Sequence, residues 1–330
     1  MPDEVAVAPQ TKTPTQWATE DGIWRPITGD LSKELKPGIY ELLVVMNPGG
    51  GGQIILREMN AIQMDNLIPV EGSMSQYIAE LIKHFWKTEA LYKKMGLIHK
   101  RGILLEGPPG CGKTATAILA AREIVKDKGV VIFVSPNTEI SALGGMLKQI
   151  REIQPTVPIL TVMEDIDKHH KKSIDVLLPV LDGENQIQNV FHLATTNFVE
   201  KLDARILNRP SRFDEVIKVG PPSEGARADY LKSILPDDLD PAIVKEMIES
   251  SGKLMFAHLK ELAICSVVYG RPVKDTVDRL LLLAEPKAGA GFFGEDKNEK
   301  DRPRMSTYSP FLRLINIGSP MDGDEDEDNS

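Results

Sequence analysis

The sequence has few cysteines and aromatic residues, and it lacks long apolar runs. Its 330 residues include two cysteines, Cys111 and Cys265, and 5% aromatic residues. Two thiols cannot form a disulfide framework, so we expect free thiols in a reducing, cytoplasmic setting. No apolar run reaches about 18 residues, and we therefore expect no membrane span. The N-terminal Met1–Glu4 segment lacks the basic-then-apolar layout of a secretory signal.

The chain also lacks the excess of basic residues that a constitutive DNA binder carries. Its net charge is -9, and six acids between Asp322 and Asp328 account for -6 of it. The remainder of the chain is therefore nearly neutral and ends in an acidic tail. This distribution disfavours nucleic acid as an obligatory partner.

A glycine-rich stretch fits the pattern G-x-x-x-x-G-K-[ST]. An apolar strand pattern, Gly102–Leu105, precedes it, and a helical pattern, Thr116–Ala121, follows it. A strand, glycine loop and helix in this order aim backbone N–H groups at phosphates. We predict that the loop binds ATP, with Lys113 facing the β- and γ-phosphates and the Thr114 hydroxyl on Mg²⁺. The predicted nucleotide-binding residues are Gly107, Pro108, Pro109, Gly110, Cys111, Gly112, Lys113 and Thr114.

Three further motifs follow the glycine loop at the spacing that a P-loop ATPase requires. The apolar run Ile159–Met163 ends in Glu164 and Asp165, and a second run, Val190–Ala194, ends in Thr195-Thr196-Asn197. The stretch Arg-Pro-Ser-Arg-Phe-Asp then supplies Arg209 and Arg212. One such motif arises by chance, but four in this order indicate a P-loop ATPase.

Strand and helix patterns alternate from residue 73 to residue 220, which predicts a mostly parallel sheet covered by helices. We therefore predict an α/β P-loop NTPase fold with a small all-helical C-terminal lid and a small N-terminal β element. The predicted strands are Gly102–Leu105, Val130–Ser135, Ile159–Met163, Val190–Thr195 and Val216–Val219. The predicted parts are a mobile N-terminus (1–22), the β element (23–72), the large ATPase domain (73–220), the lid (221–285) and a largely disordered acidic tail (286–330).

The motifs together resemble the AAA family of ATPases over residues 73–285. The stretches that carry the resemblance are Lys100–Gly110, Glu164–Asp167, Leu181–Gly183, Ala194–Asn197 and Leu207–Asp214. The resemblance implies a nucleotide held between neighbouring subunits of a ring, usually a hexamer. It further implies that Asn197 is a sensor for the γ-phosphate or the attacking water. Arg212 would be the finger that reaches into the neighbour's site, with Arg209 beside it.

The order of the two acids departs from most of the family. The segment Glu164–Asp167 reads Glu-Asp-Ile-Asp, which resembles the AAA core of the mitochondrial complex-III assembly ATPases. The layout is also similar to stand-alone AAA proteins of bacteria and phages. By position, Glu164 would be the acid on the Mg²⁺ side and Asp165 the carboxylate that activates water. The aspartate reaches one methylene less than a glutamate, so the interchanged assignment stays open.

Two loops bear on how the protein would contact a client. The segment Asn137–Gly145, where threading relatives carry an aromatic pore residue, has no aromatic residue. The basic segment Lys168–Lys172 falls where a second pore loop would lie and could contact an acidic client, nucleic acid or the acidic tail. Lys260 falls where wider relatives place a sensor arginine, but an ordinary surface lysine on a helix is the interpretation that the sequence favours.

Three functions fit these observations. The first is a ring-shaped, ATP-driven remodeler or chaperone of a protein client, which the nearly neutral body of the chain favours. The second is a nucleic-acid-associated ATPase of the helicase-loader or clamp-loader type, and the third is a slow, nucleotide-gated assembly scaffold. In each case we expect a homo-oligomer with ATP and Mg²⁺ and no membrane partner. An apolar segment in the tail, Phe311–Ile317, predicts docking on the protein body or on a partner.

Overall fold

A computed structural model describes most of the chain between residues 16 and 284. The described residues are 16–20, 23–27, 32, 34–46, 52–59, 67, 70, 73–169, 171–182, 187–207, 209 and 211–284. The acidic tail and its apolar segment Phe311–Ile317 lie outside the described residues, as do His170 and the centre of the glycine-rich stretch Asn47–Gly52. Predictions about these segments stay predictions.

A seven-stranded, mostly parallel sheet forms the centre of the fold. Its strand order is β4-β3-β6-β7-β8-β5-β9, and only the β3–β4 pair is antiparallel. The five predicted strands are all present, with boundaries shifted by one or two residues, which confirms the α/β P-loop fold class. The strands of this sheet are β3 (Gly38–Met46), β4 (Gly52–Glu58), β5 (Lys100–Glu106), β6 (Val130–Val134), β7 (Ile159–Met163), β8 (Val190–Thr196) and β9 (Glu215–Lys218).

Helices cover both faces of this sheet, so its three central strands are buried throughout. Every residue of β6, β7 and β8 is buried, which explains why these strands are continuous apolar runs. One core lies between the sheet and the α4/α5 side, and another lies on the α1/α3 side. The helices of this domain are α1 (Met74–Lys87), α2 (Glu89–Lys94), α3 (Lys113–Lys126), α4 (Ala142–Ile153), α5 (Lys171–Asp182) and α6 (Ala204–Leu207).

The N-terminal β element is divided between two sheets. Strand β1 (Gln16–Glu20) lies in the segment predicted to be a mobile N-terminus (1–22), and it forms a separate antiparallel pair with β2 (Ile23–Ile27). Strands β3 and β4 instead extend the ATPase sheet beyond β6. In the sequence, the apolar runs Ile39–Val45 and Gln53–Leu56 flank the glycine-rich stretch Asn47–Gly52 and predict this hairpin, but as part of a separate element, residues 23–72. The hairpin joins the main sheet because Tyr40 and Leu42 on β3 are buried in the same core as β6 and α4.

The lid is a bundle of four helices with its own core. Its helices are α7 (Glu224–Ile234), α8 (Pro241–Ser250), α9 (Phe256–Ala263), which continues into a π-helical turn, and α10 (Val273–Ala284). The Ser223 hydroxyl accepts a hydrogen bond from the Ala226 N–H, and the Asp240 carboxylate accepts one from the Ala242 N–H, so side chains cap the N-termini of α7 and α8. Leu231, Met247, Leu259 and Leu280 pack in the interior. Among the described residues, no helix is long and apolar enough to cross a membrane.

Candidate active site

The glycine loop Gly107–Gly112 connects the end of β5 to the start of α3. Gly110 and Gly112 have φ values of +80° and +100°, a region that side chains disfavour. A Cβ atom on Gly107 would lie 2.2 Å from the Val219 carbonyl oxygen, so this position also requires glycine. The loop therefore brings bare backbone to the N-terminus of α3, where N–H groups and the helix dipole favour an anion.

Lys113 is the first residue of α3, and its ammonium group is turned into the glycine loop. The side chain is buried, and Nζ donates to Gly107 O at 2.6 Å, to Pro108 O at 3.1 Å and to Asn197 Oδ1 at 2.8 Å. All three acceptors are neutral. A buried ammonium group is stabilised best by an opposite charge. The donor set therefore suits a phosphate group.

A chain of hydrogen bonds links Lys113 to the acidic pair. Asn197, directly after β8, accepts from Lys113 through Oδ1 and donates through Nδ2 to Asp165 Oδ1 at 3.0 Å. The other carboxylate oxygen, Asp165 Oδ2, lies 2.6 Å from Lys168 Nζ. Three of the predicted site residues are thus brought together. Glu164 is the residue directly before Asp165, and its N–H donates to Val134 O in the adjacent strand.

The backbone at Asp165 is in the left-handed region, with φ 46° and ψ 54°. Its N–H donates to the Thr195 hydroxyl at 3.0 Å, and the Thr196 hydroxyl donates to Asp167 Oδ1 at 2.6 Å. These bonds fix the end of β7 against the end of β8. Aspartate tolerates the left-handed region better than most residues, and such backbone conformations concentrate at functional sites.

A cavity of about 500 Å³ lies beside the glycine loop, between the ATPase domain and the lid. Cys111, Leu119, Val219 and Phe256 contribute to its largely apolar lining, and Phe256 meets Tyr230 edge to face at 5.2 Å between ring centroids. An apolar cavity of this size suits the base of a nucleotide. A larger cleft of about 780 Å³ between α7 and α8 shares no lining residue with it and lacks the glycine loop.

Two other residues that the sequence singled out, Lys260 and Thr114, lie at the cavity and at the start of α3. Lys260, an exposed residue of α9, lines the cavity, so its position is open to a bound nucleotide. Thr114 is exposed in the first turn of α3.

Among the described residues, no group of three or more His, Cys, Asp or Glu could hold a metal. A Mg²⁺ ion bound with a nucleotide needs only one or two protein oxygens besides phosphate oxygens and waters, so the assignment of Thr114 and Glu164 to Mg²⁺ stays a prediction.

The two arginines differ sharply in their surroundings. Arg212 is buried, and it donates to Asp182 from Nε at 3.0 Å and from Nη2 at 2.9 Å. Arg209 donates to the same carboxylate at 2.7 Å, but its side chain is 60% exposed. Burial alone would raise the pKa of Asp182, yet hydrogen bonds from Arg212, Ser211 and Arg209 outweigh it and lower that pKa. Both arginines thus pair with the end of α5, and the exposed one is Arg209.

Sequence reasoning missed two contacts at this site. Asp182 lies in the Leu-Asp-Gly stretch that contributed to the family resemblance, but nothing in its surroundings predicted the pairing with Arg212, 30 residues away. Lys168 was interpreted only as part of a basic loop. Its separation of three residues from Asp165 is typical of a helical ion pair and could have indicated the contact.

The strand, glycine loop and helix, with an acid–amide–lysine chain at the ends of adjacent strands, define a P-loop ATPase domain. Residues 103–221 match the family model described as "ATPase family associated with various cellular activities (AAA)". The domain that these residues form belongs to the AAA family, whose common activity is ATP hydrolysis.

Curated relatives include a protease supercomplex subunit, an ATP-dependent protease and a proteasome-activating nucleotidase. A subunit of the mitochondrial inner membrane i-AAA protease supercomplex, YME1 of Saccharomyces cerevisiae, is 33% identical over 50% of this chain and 24% of its own. ATP-dependent zinc metalloprotease FtsH 2 of Symbiobacterium thermophilum is 28% identical over 70% and 45%. A proteasome-activating nucleotidase of Saccharolobus islandicus is 27% identical over 75% and 72%. The chain spans less than half the length of the first two relatives.

Proposed function

We propose that the protein is a ring-forming ATPase that uses ATP binding and hydrolysis to remodel a protein client. The hydrogen-bonded chain from Lys113 through Asn197 to Asp165 carries this proposal. This chain of hydrogen bonds connects Lys113, the proposed phosphate-binding group, to Asp165, the proposed water-activating group. The relatives described above carry the names of a protease supercomplex subunit, an ATP-dependent protease and a proteasome-activating nucleotidase, which supports a protein client for this chain as well.

In this proposal the nucleotide binds across the glycine loop with its base in the 500 Å³ cavity. The Lys113 ammonium exchanges the Gly107 and Pro108 carbonyls for phosphate oxygens, which carry the negative charge that its neutral acceptors lack. Thr114 and Glu164 would hold the Mg²⁺ ion, which neutralises developing phosphate charge. Lys260 at the cavity edge is a further cation within the same region.

Asp165 is the proposed base that orients and activates the attacking water. It shares Asn197 with Lys113, so a change in the position of the lysine at the phosphates reaches the carboxylate through one side chain. Glu164 is the residue directly before Asp165 in the sequence, and this position supports the Mg²⁺-side role for Glu164. The shorter reach of aspartate predicts a slower chemical step than a glutamate would support.

The arginine that completes a neighbour's site is proposed to be Arg209. The sequence favoured Arg212, but its guanidinium is buried in the ion pair with Asp182, and removing it from that pair would leave a buried charge without its main partner. Arg209 contacts the same carboxylate from an exposed position. In this proposal the buried ion pair of Arg212 with Asp182 holds Arg209 in place at the protein surface. The ring form, usually a hexamer in this family, is part of the proposal.

Two alternatives remain distinguishable by experiment. A nucleic-acid-associated ATPase would be stimulated by DNA, and that stimulation would fall steeply with salt. A slow scaffold would bind ATP and assemble with little turnover. The nearly neutral body of the chain favours the protein client over nucleic acid.

The decisive experiment compares two variants. Lys113→Ala should lose nucleotide binding, because it removes the cation that faces the phosphates. Asp165→Asn should keep nucleotide binding, lose hydrolysis and retain its client on co-purification. An Asp165→Asn protein that recovers no protein with ATP, but recovers nucleic acid, would overturn the remodeler proposal.

A further inference from the structure

Lys168 lies where it can control the proposed base. It ends a short 3-10 turn, Ile166–Lys168, that follows Asp165 directly. Ile166 is buried in the main core, and the Lys168 N–H donates to Asp165 O at 2.8 Å. The turn is therefore anchored, and it returns the Lys168 side chain to the carboxylate, with Nζ 2.6 Å from Oδ2.

Both oxygens of Asp165 consequently have a hydrogen-bond donor. Oδ1 accepts from Asn197, and Oδ2 accepts from Lys168. A base that activates water must direct an oxygen at the water. An ammonium group at 2.6 Å opposes this, because it occupies one of the two carboxylate oxygens.

We propose that Lys168 is a positioning residue that restrains Asp165 and lowers the basal rate of ATP hydrolysis. The inference rests on the proposed role of Asp165 as the base. In this proposal Lys168 slows ATP hydrolysis and does not affect nucleotide binding at the glycine loop.

The exposure of the pair makes the restraint reversible. The Lys168 side chain is 55% exposed and that of Asp165 is 25% exposed. Ion pairs at such positions are weak and are screened by salt. The lysine can therefore leave the carboxylate at small cost, whereas a fully buried pair could not separate within a catalytic cycle.

The test is the steady-state rate of ATP hydrolysis by Lys168→Ala. We expect kcat to rise about 2–5-fold, the range that loss of one exposed ion pair allows, with KM for ATP unchanged. Lys168→Arg keeps the charge and should keep the wild-type rate. Lys126→Ala is the matched control, because Lys126 forms an exposed ion pair with Glu123 at the same spacing and the same 2.6 Å distance. An unchanged or lower kcat in a folded Lys168→Ala protein overturns the proposal.

Salt and a double variant provide independent readouts. The ratio of the Lys168→Ala rate to the wild-type rate should fall toward one as NaCl rises from 20 mM to 300 mM, since screening removes the restraint from the wild type. The double variant Asp165→Asn/Lys168→Ala should be as inactive as Asp165→Asn. Activity in Asp165→Asn alone would contradict the role of Asp165, whereas an inactive Asp165→Asn with a ratio of one at low salt would contradict only the restraint.

Discussion

At the scale of single residues, the two arginines of the Arg-Pro-Ser-Arg-Phe-Asp stretch have different physical roles. Arg212 and Asp182 have side chains that are 9% and 6% exposed, so their charges stabilise each other away from water. We predict that Arg212→Ala lowers the free energy of unfolding by about 2–4 kcal/mol, because Arg209 and Ser211 compensate only partly for the lost partner. Arg209→Ala should change it by less than about 1 kcal/mol.

Thermal denaturation of the two variants checks this difference. A melting temperature for Arg212→Ala equal to that of the wild type would contradict the structural role given to Arg212. Arg209→Ala provides the matched comparison, since it removes the same chemical group from the same carboxylate.

The acidic pair gives a second prediction at this scale. Asp165→Asn should reduce kcat by about 100-fold or more, because it removes the proposed general base, while nucleotide affinity is retained. Glu164→Gln should instead weaken Mg²⁺ binding and raise the Mg²⁺ concentration for half-maximal activity. Titration of activity with Mg²⁺ separates the two. An Asp165→Asn protein that hydrolyses ATP normally, beside an inactive Glu164→Gln protein, would mean that the two roles are interchanged.

At the scale of elements, the β3–β4 hairpin shows what the sequence could and could not predict. Alternation of apolar residues around the glycine-rich stretch predicted the hairpin itself. Its pairing with β6 depends on Tyr40 and Leu42 meeting residues about 90–100 positions further along the chain, for example through the 3.2 Å bond from the Thr138 hydroxyl to Leu42 O. Local pattern carries no such information, so the hairpin was assigned to a separate element.

The incorporation of the hairpin into the sheet makes a stability prediction. Leu42 is fully buried, so Leu42→Ala should lower the free energy of unfolding of the ATPase domain by about 2–5 kcal/mol. Val45, on the same strand, is 44% exposed, and Val45→Ala is the control with less than about 1 kcal/mol expected. Chemical denaturation, monitored together with nucleotide binding, measures both. A hairpin that unfolds without affecting nucleotide binding would show that it is separate from the ATPase core.

The contact between the glycine loop and the lid makes a further prediction. The Ala257 N–H donates to Gly110 O at 3.2 Å, and a Cβ on Gly110 would lie 2.8 Å from Ala257 Cβ. Gly110→Ala should therefore move the lid away from the loop and weaken ATP binding by about tenfold, since left-handed backbone also disfavours alanine by about 1–2 kcal/mol. Gly225→Ala on α7, where a Cβ meets no atom within 4 Å, should leave ATP affinity unchanged. Equal affinities in the two variants, measured by calorimetry, would contradict the proposed lid contact.

At the scale of the whole molecule, the parts of the site that the sequence predicted are those that lie on regular elements. The glycine loop, Lys113 and Asn197 follow strands whose apolar runs end at the same edge of the sheet, so their proximity could be inferred from the fold class. The burial of Arg212 and the contact of Lys168 with Asp165 depend on side-chain packing across separate segments. Spacing alone does not determine that packing, and these were the features that the sequence left out.

The central claim is that neighbouring subunits complete one another's sites. The most direct measurement is ATPase activity after mixing Asp165→Asn and Arg209→Ala proteins. Each protein should be inactive alone, and sedimentation should show that each still assembles. In a randomly mixed ring at equal concentrations, about one quarter of the sites combine an intact acid with an intact neighbouring arginine. We therefore predict recovery of about one quarter of the wild-type activity. Activity no higher than that of the separate variants, in rings shown to contain both, would contradict the account.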